Sequence, residues 1–151
     1  MINPCIYIFV NKSLKMSAGK LASQTAHATA QMFTKLPSQD LAIFWAKEPH
    51  RTIIVLEARD EAHIRNINNY LNERGIDCDL VIDEGANEVP PHSITALVTP
   101  ILDKNEFTDK LMSTFKLYKE ETLDSQLPAD RWIVGPSQPL PFLPITLPRG
   151  Y

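Results

Sequence analysis

The run Cys5-Ile6-Tyr7-Ile8-Phe9-Val10 is short, rich in β-branched and aromatic residues, and almost continuously apolar. A strand wetted on one face would alternate, so an unbroken run has to be covered on both faces and predicts a central strand. Asn11 to Ser17 follows as a loop, Ser17 is placed to cap a helix, and the helix runs to about Leu36 before Pro37 stops it. Stepping along it puts Leu21, Ala22, Thr25, Ala28, Thr29, Met32 and Phe33 in a stripe roughly 140° wide, read as the core face. The same count gathers Lys20, Gln24, His27 and Gln31 in an arc of about 60° on the solvent side.

From Met1 to Gln39 there are lysines at 12, 15, 20 and 35 and no acid. Lys15, Lys20 and the unpaired N–H groups at the helix start therefore read as a site for an anion, with phosphate the obvious one. A merely solvated helix face is the alternative. The net charge of −3 and the pI near 5.8 exclude indiscriminate coating of nucleic acid, so any such contact is a local patch, which this basic first quarter can supply.

Ser38 can cap a second helix with Leu41, Phe44 and Trp45 on one apolar edge, Trp45 serving core packing. Arg51–Ala58 reads as a strand, Asp60 opens a helix carrying Ile64, Ile67 and Leu71, and Gly75 closes it. Asp77–Asp83 and Ile94–Thr99 are further strands, joined by a loop from Glu84 to Ser93 too short for a helical crossover. After Pro100, Asp103 and Glu106 stand at capping-box spacing before Phe107, Leu111, Phe115 and Tyr118. The order predicts an α/β fold, a three-layer α/β/α domain with a four-stranded mixed β-sheet, over residues 1–119.

Residues 120–151 form a proline-rich C-terminal extension: six of the twelve prolines fall between Gln126 and Tyr151. It is too apolar for a free linker, with Trp132, Leu140, Phe142 and Ile145, so it is expected to dock on the domain or on a protein partner. Cys5 and Cys78 sit in strand-like runs without metal-ligand spacing, which fits buried thiols in a reducing compartment. No signal peptide or bilayer-length apolar run is evident, so the cytoplasm is the expected location, with no membrane contact.

The first strand, the helix that follows it and the loop from Asp83 to Thr95 resemble the type 2 peptidyl-tRNA hydrolases over roughly residues 5 to 118. The family's helix motif, Lys and Gly followed by Lys-x-Ala-x-Gln-x-x-His-Ala, is met by Lys15, Gly19, Lys20, Ala22, Gln24, His27 and Ala28. Its second motif, Asp-Ala-Gly-Arg-Thr-Gln followed by Pro-Gly-Ser-x-Thr, is met by Asp83, Gly85, Pro91, Ser93 and Thr95. Ala86, Asn87, Glu88 and His92 depart from it, replacing a basic residue, a threonine, a glutamine and a glycine. These changes make the loop more acidic, and His92 calls for a backbone without a glycine-only angle.

The resemblance implies hydrolysis of the ester joining a peptide to tRNA, without metal or other cofactor, by a cytoplasmic homodimer that binds tRNA. Ester cleavage needs an activated water, donors for the oxyanion and a hold on the charged leaving group. Lys20 can steady the oxyanion or hold a phosphate. Gln24 can donate to the carbonyl or position water, and Asp83 can act as base or orient Lys20 or a water, or simply cap its turn. Thr95 can hold a water and Asn87 can offer an amide donor, while Lys12, Lys15, His27, Gln31 and Ser93 are candidate substrate or tRNA contacts. Two alternatives stay open at this point: a tRNA- or protein-binding module on the same fold with weakened catalysis, and a hydrolase for another acylated tRNA.

Overall fold

The computed structural model describes residues 3–85 and 88–119. The expected extension at 120–151 and Asn87 lie outside the described residues. The elements run β1 (Pro4–Asn11), a 3-10 turn at Lys12–Leu14, α1 (Ala18–Thr34), α2 (Gln39–Lys47), β2 (Thr52–Ala58), α3 (Glu61–Asn72), β3 (Asp79–Asp83), β4 (Ser93–Val98), β5 (Leu102–Asp103) and α4 (Glu106–Met112).

Every residue of β1 is buried, as its unbroken apolar run requires. The sheet order is β2-β1-β4-β3, with β1 and β2 parallel, β1 and β4 antiparallel, and β3 and β4 antiparallel. Strands β1, β2 and β3 thus point the same way, and their carboxyl ends share one end of the sheet. The expected mixed sheet of four strands is present, joined by the two-residue β5 against Pro4 and Cys5. A pairing this short carries no periodicity of its own, so the sequence did not announce it.

Alternate residues of β1 serve opposite cores. Cys5, Tyr7 and Phe9 pack with Ile64, Ile67 and Leu71 of α3 and with Leu111 and Met112 of α4. Ile6, Ile8 and Val10 pack with Met16, with Ala28 and Met32 of α1, and with Trp45 of α2. Helices therefore cover both faces, giving the three layers. Trp45 is buried as expected, its ring edge-on to Phe33 at 6.3 Å. Ser17, Ser38 and Asp60 cap their helices as their positions suggested, and Gly75 sits beyond α3 at φ 77°.

Three expectations are corrected. The buried face of α1 is Gln24, Ala28 and Met32, while Ala22 is exposed, so the helix is rotated from the stripe drawn by hydrophobicity alone. The reason is the polar partner that β4 offers Gln24, described below. The cap of α4 is Asn105, whose side chain takes the Thr108 N–H while the Asn105 N–H donates to the Thr108 hydroxyl, in place of Asp103 and Glu106. Finally, α4 stops at Met112, and the chain turns to run beside β2: Leu117 bridges Leu56, Glu57 N–H donates to the Lys116 carbonyl and Tyr118 N–H to the Val55 carbonyl.

That turn separates two aromatics which helical spacing had placed on one stripe. Phe115 meets Phe9 edge-to-face at 4.9 Å, whereas Phe107 is 64% exposed. Phe115→Ala should therefore cost about 2–3 kcal/mol and Phe107→Ala about 0–0.5 kcal/mol, read from urea midpoints at unchanged slope. Equal losses at the two positions would mean that the helix continues past Met112.

Candidate functional site

At the carboxyl end of β3, Asp83 turns its carboxylate toward α1. Lys20 Nζ lies 2.7 Å from Asp83 Oδ2, and the two side chains are only 12% and 13% exposed. Gln24 Nε2 donates to the same oxygen at 3.0 Å, and the Gly85 N–H donates to Oδ1 at 2.7 Å. Behind them the Thr95 hydroxyl donates to Gln24 Oε1 at 2.6 Å. This last bond fixes the amide: with Oε1 taken by a hydroxyl, Nε2 has to face Asp83. Four side chains from α1, β3 and β4 therefore form one connected chain of hydrogen bonds.

Local irregularities make that convergence possible. Val81 pairs with Ala96 and Ile82 with Ile94, so Thr95 is an extra residue on β4, a bulge that carries its side chain to the α1 face. Thr95 and Gln24 are both buried, and each satisfies the other. Gly85 sits at φ 77°, and a Cβ there would come within 2.4 Å of the Pro91 nitrogen, so only glycine allows this loop to close beneath Asp83.

Asp83 has a pKa below the usual aspartate value, first because Lys20 donates to it, then because the Gly85 N–H does, with the Gln24 amide adding less. Glu88 is also held low, by two hydrogen bonds from Ser17: the N–H at 3.0 Å and the hydroxyl at 2.5 Å. At the helix start, where phosphate is expected, the chain thus places a carboxylate of its own, from a position the family motif gives to glutamine. The acid-free stretch at the N-terminus likewise finds its acids elsewhere. Lys12 pairs with Glu57 at 2.9 Å, Lys20 with Asp83, and Lys35 with Asp79 at 2.5 Å. Lys15 is exposed at φ 47°; its backbone N–H donates to the Lys12 carbonyl at 3.2 Å, and its ammonium has no hydrogen-bond partner among the described residues.

The remaining candidates divide. Exposed His27 borders a groove that also touches Gln24 and Asp83. Gln31, half-buried, gives its amide to Asp79 and to the Leu80 carbonyl, so its polar end is engaged in holding α1 against β3. The Ser93 hydroxyl donates to the Pro90 carbonyl within the loop. His92 corrects an expectation: its φ is 62°, the left-handed region that the family's glycine adopts freely, and its N–H donates to the Asp83 carbonyl at 2.8 Å.

Lys12 lies apart from the Lys20 network, in a groove of about 450 Å³ with Lys116, Lys119, Leu117 and Glu57. Lys116 and Lys119 were missed from the sequence, where nothing signals that the end of the described chain returns alongside Lys12. Among the described residues no group of three metal-ligating side chains is assembled, and no helix is long and apolar enough to cross a membrane.

With this geometry established, the comparisons with known proteins agree on one family. The model described as Peptidyl-tRNA hydrolase PTH2 matches residues 5–118. A peptidyl-tRNA hydrolase of Pyrobaculum aerophilum is 34% identical over 116 residues, covering 74% of this chain and 95% of the relative. Relatives of the same name from Methanococcus maripaludis and Thermoplasma acidophilum are 32% and 34% identical over 113 residues, each covering 73% of this chain and 95% and 94% of the relative.

Two outcomes follow from the site. Because the folded pKa of Asp83 is depressed, its ionised form contributes stability that is complete above the unfolded value near 3.9 and is lost as pH falls through the folded value. Urea unfolding from pH 7 to 2 should then show Asp83→Asn less stable than the native chain at neutrality, with the gap closing below about pH 4. A gap that persists at pH 2 would place the loss elsewhere than in the carboxylate. His92→Gly should raise stability by about 1 kcal/mol by removing the left-handed strain, visible as a higher melting temperature.

Proposed function

The chain belongs to the PTH2 family of peptidyl-tRNA hydrolases and hydrolyses peptidyl-tRNA, and on that premise we propose that Lys20, Gln24, Asp83 and Thr95 carry the cleavage. The observation supporting this reading is the single hydrogen-bonded chain that links them across α1, β3 and β4. As water adds to the ester carbonyl carbon its proton passes to Asp83 and negative charge gathers on the carbonyl oxygen; when the ester bond breaks, the ribose oxygen leaves with the proton that Asp83 returns. The Lys20 ammonium is the nearest cation for that charge, and Gln24 has a second amide N–H to add.

Asp83 has two successive tasks in this scheme. In the resting site its acidity makes it a poor proton acceptor, and it holds Lys20 and Gln24 in place. As Lys20 turns toward the developing oxyanion, the interaction that depresses the Asp83 pKa weakens and the carboxylate becomes a better base for the attacking water. Thr95 is a positioning residue, acting through Gln24. The lysines at 12, 116 and 119 supply a compact positive groove for tRNA phosphates, with Lys15 exposed at the start of the same helix region. Asn87 as an amide donor, Ser93 and His27 as substrate contacts, homodimer formation, a cytoplasmic location, and a protein partner for residues 120–151 remain parts of this reading, resting on the family resemblance or on composition.

The test is release of an N-acetylated amino acid from tRNA. Lys20→Ala and Asp83→Asn should each lower kcat by about 10²–10³ while leaving tRNA affinity within a few-fold, and Thr95→Val should lower it less. Lys116→Glu and Lys119→Glu should raise KM and flatten its salt dependence without changing kcat. Salt-sensitive binding of tRNA with no turnover by the native chain would instead favour the binding module.

A further inference from the structure

A second groove, of about 430 Å³, lies between α1 and the outer edge of β3, and the cleavage scheme uses only its Gln24 and Asp83 end. It begins at Gln24 and Asp83 and continues past Ala30 to Thr34, so one of its ends is the catalytic network. Val81 and Ile82 form its other wall. Ile82 is 54% exposed although it stands inside a strand.

Among the described residues the backbone on that edge lacks a neighbouring strand: β3 is the last of their strands in the sheet, with β4 on one side only. The Val81 and Asp83 carbonyls are on the β4 side, the first 3.3 Å from the Thr95 hydroxyl oxygen and the second taking the His92 N–H at 2.8 Å. The Leu80 carbonyl points away to Gln31 at 2.7 Å. Alternation then sends the Ile82 N–H and C=O to the outer edge, ready to pair with an extended chain.

Charge excludes one half of the substrate from this place. Among the described residues the groove's lining has no lysine or arginine, and Glu84 joins Asp83 on its rim, so the charges a phosphate backbone would meet there are those of two carboxylates, with His27 beside them. The groove beside Lys12, in contrast, sets three lysines against one glutamate. Taking Lys20 and Asp83 as the cleavage site proposed above, we propose that this second groove receives the peptide part of the substrate. The residues preceding the scissile ester add to β3 at Ile82, and their side chains rest against Ala30 and Val81.

The experiment compares an N-acetyl-aminoacyl-tRNA with a tripeptidyl-tRNA ending in the same residue, using the full chain. The native protein should show kcat/KM about tenfold higher on the longer substrate, remote contacts being the source of the gain. Ala30→Trp, an exposed helical position, fills the groove and should reduce that gain to within about twofold, leaving the short substrate unaffected. Ala30→Ser should keep the gain, and Thr34→Trp serves as a second plug if the first does not fold. Equal rates on both substrates, with Lys20→Ala inactive, would overturn the peptide groove while sparing the cleavage site. Inactivity of the native chain on both would remove the cleavage reading and the groove with it. A length gain that survives both plugs, with a changed sedimentation mass, would mean that the groove holds a second copy of the chain.

Discussion

An ammonium and a carboxylate 2.7 Å apart, both largely withdrawn from water, hold the site together. An exposed pair at this distance contributes about 0–1 kcal/mol, but a desolvated one makes each charge depend on its partner. Lys20 and Asp83 belong to different layers, so their contact also fixes how α1 lies on the sheet. Each neighbouring feature serves that contact. Ser17 starts the helix three residues before Lys20, Gly85 folds back beneath the carboxylate, and Gln24 braces it from the next helical turn.

Glu88 illustrates how a local change of charge is absorbed by the same framework. It departs from the family motif, and on composition alone it would simply make the loop more repulsive to phosphate. In the fold it receives the Ser17 N–H and hydroxyl, supplying the acid that the first turn of α1 lacks. The loop after β3 and the start of α1 are thereby tied together. A glutamine offers one accepting oxygen where the carboxylate uses two, and it lacks the negative charge that complements the helix dipole.

Much of the architecture was legible because it follows from short-range rules. The burial of β1 on both faces, the caps at Ser17, Ser38 and Asp60, and the antiparallel return after β3 all have their causes within a few residues. What was hidden depends on partners distant in sequence. Gln24 reads as a surface residue until a bulge at Thr95 offers it a buried hydroxyl, and burial then becomes the cheaper arrangement. His92 reads as an argument against a left-handed backbone until the Asp83 carbonyl takes its N–H. The motif residues Lys20, Gln24, Asp83 and Thr95 were identifiable by resemblance, but their order in the hydrogen-bond chain was not.

The same distinction explains the charge layout. Three of the four lysines in the acid-free opening segment end against acids from β2 or β3, so folding converts a sequence-level cationic field into a set of specific braces. In the proposed reading the positive surface offered to a polyanion is assembled from elsewhere, and Lys116 and Lys119 share a groove with Lys12 because the chain leaves α4 to run beside β2. A uniformly basic face would hold tRNA tightly in many registers and gain nothing at the ester, since binding that is equal in ground and transition states does not accelerate the chemical step. With three of the four opening lysines committed to acids, Lys20 is held at a fixed place, and in the proposed scheme its charge is delivered where the reaction creates a need for it.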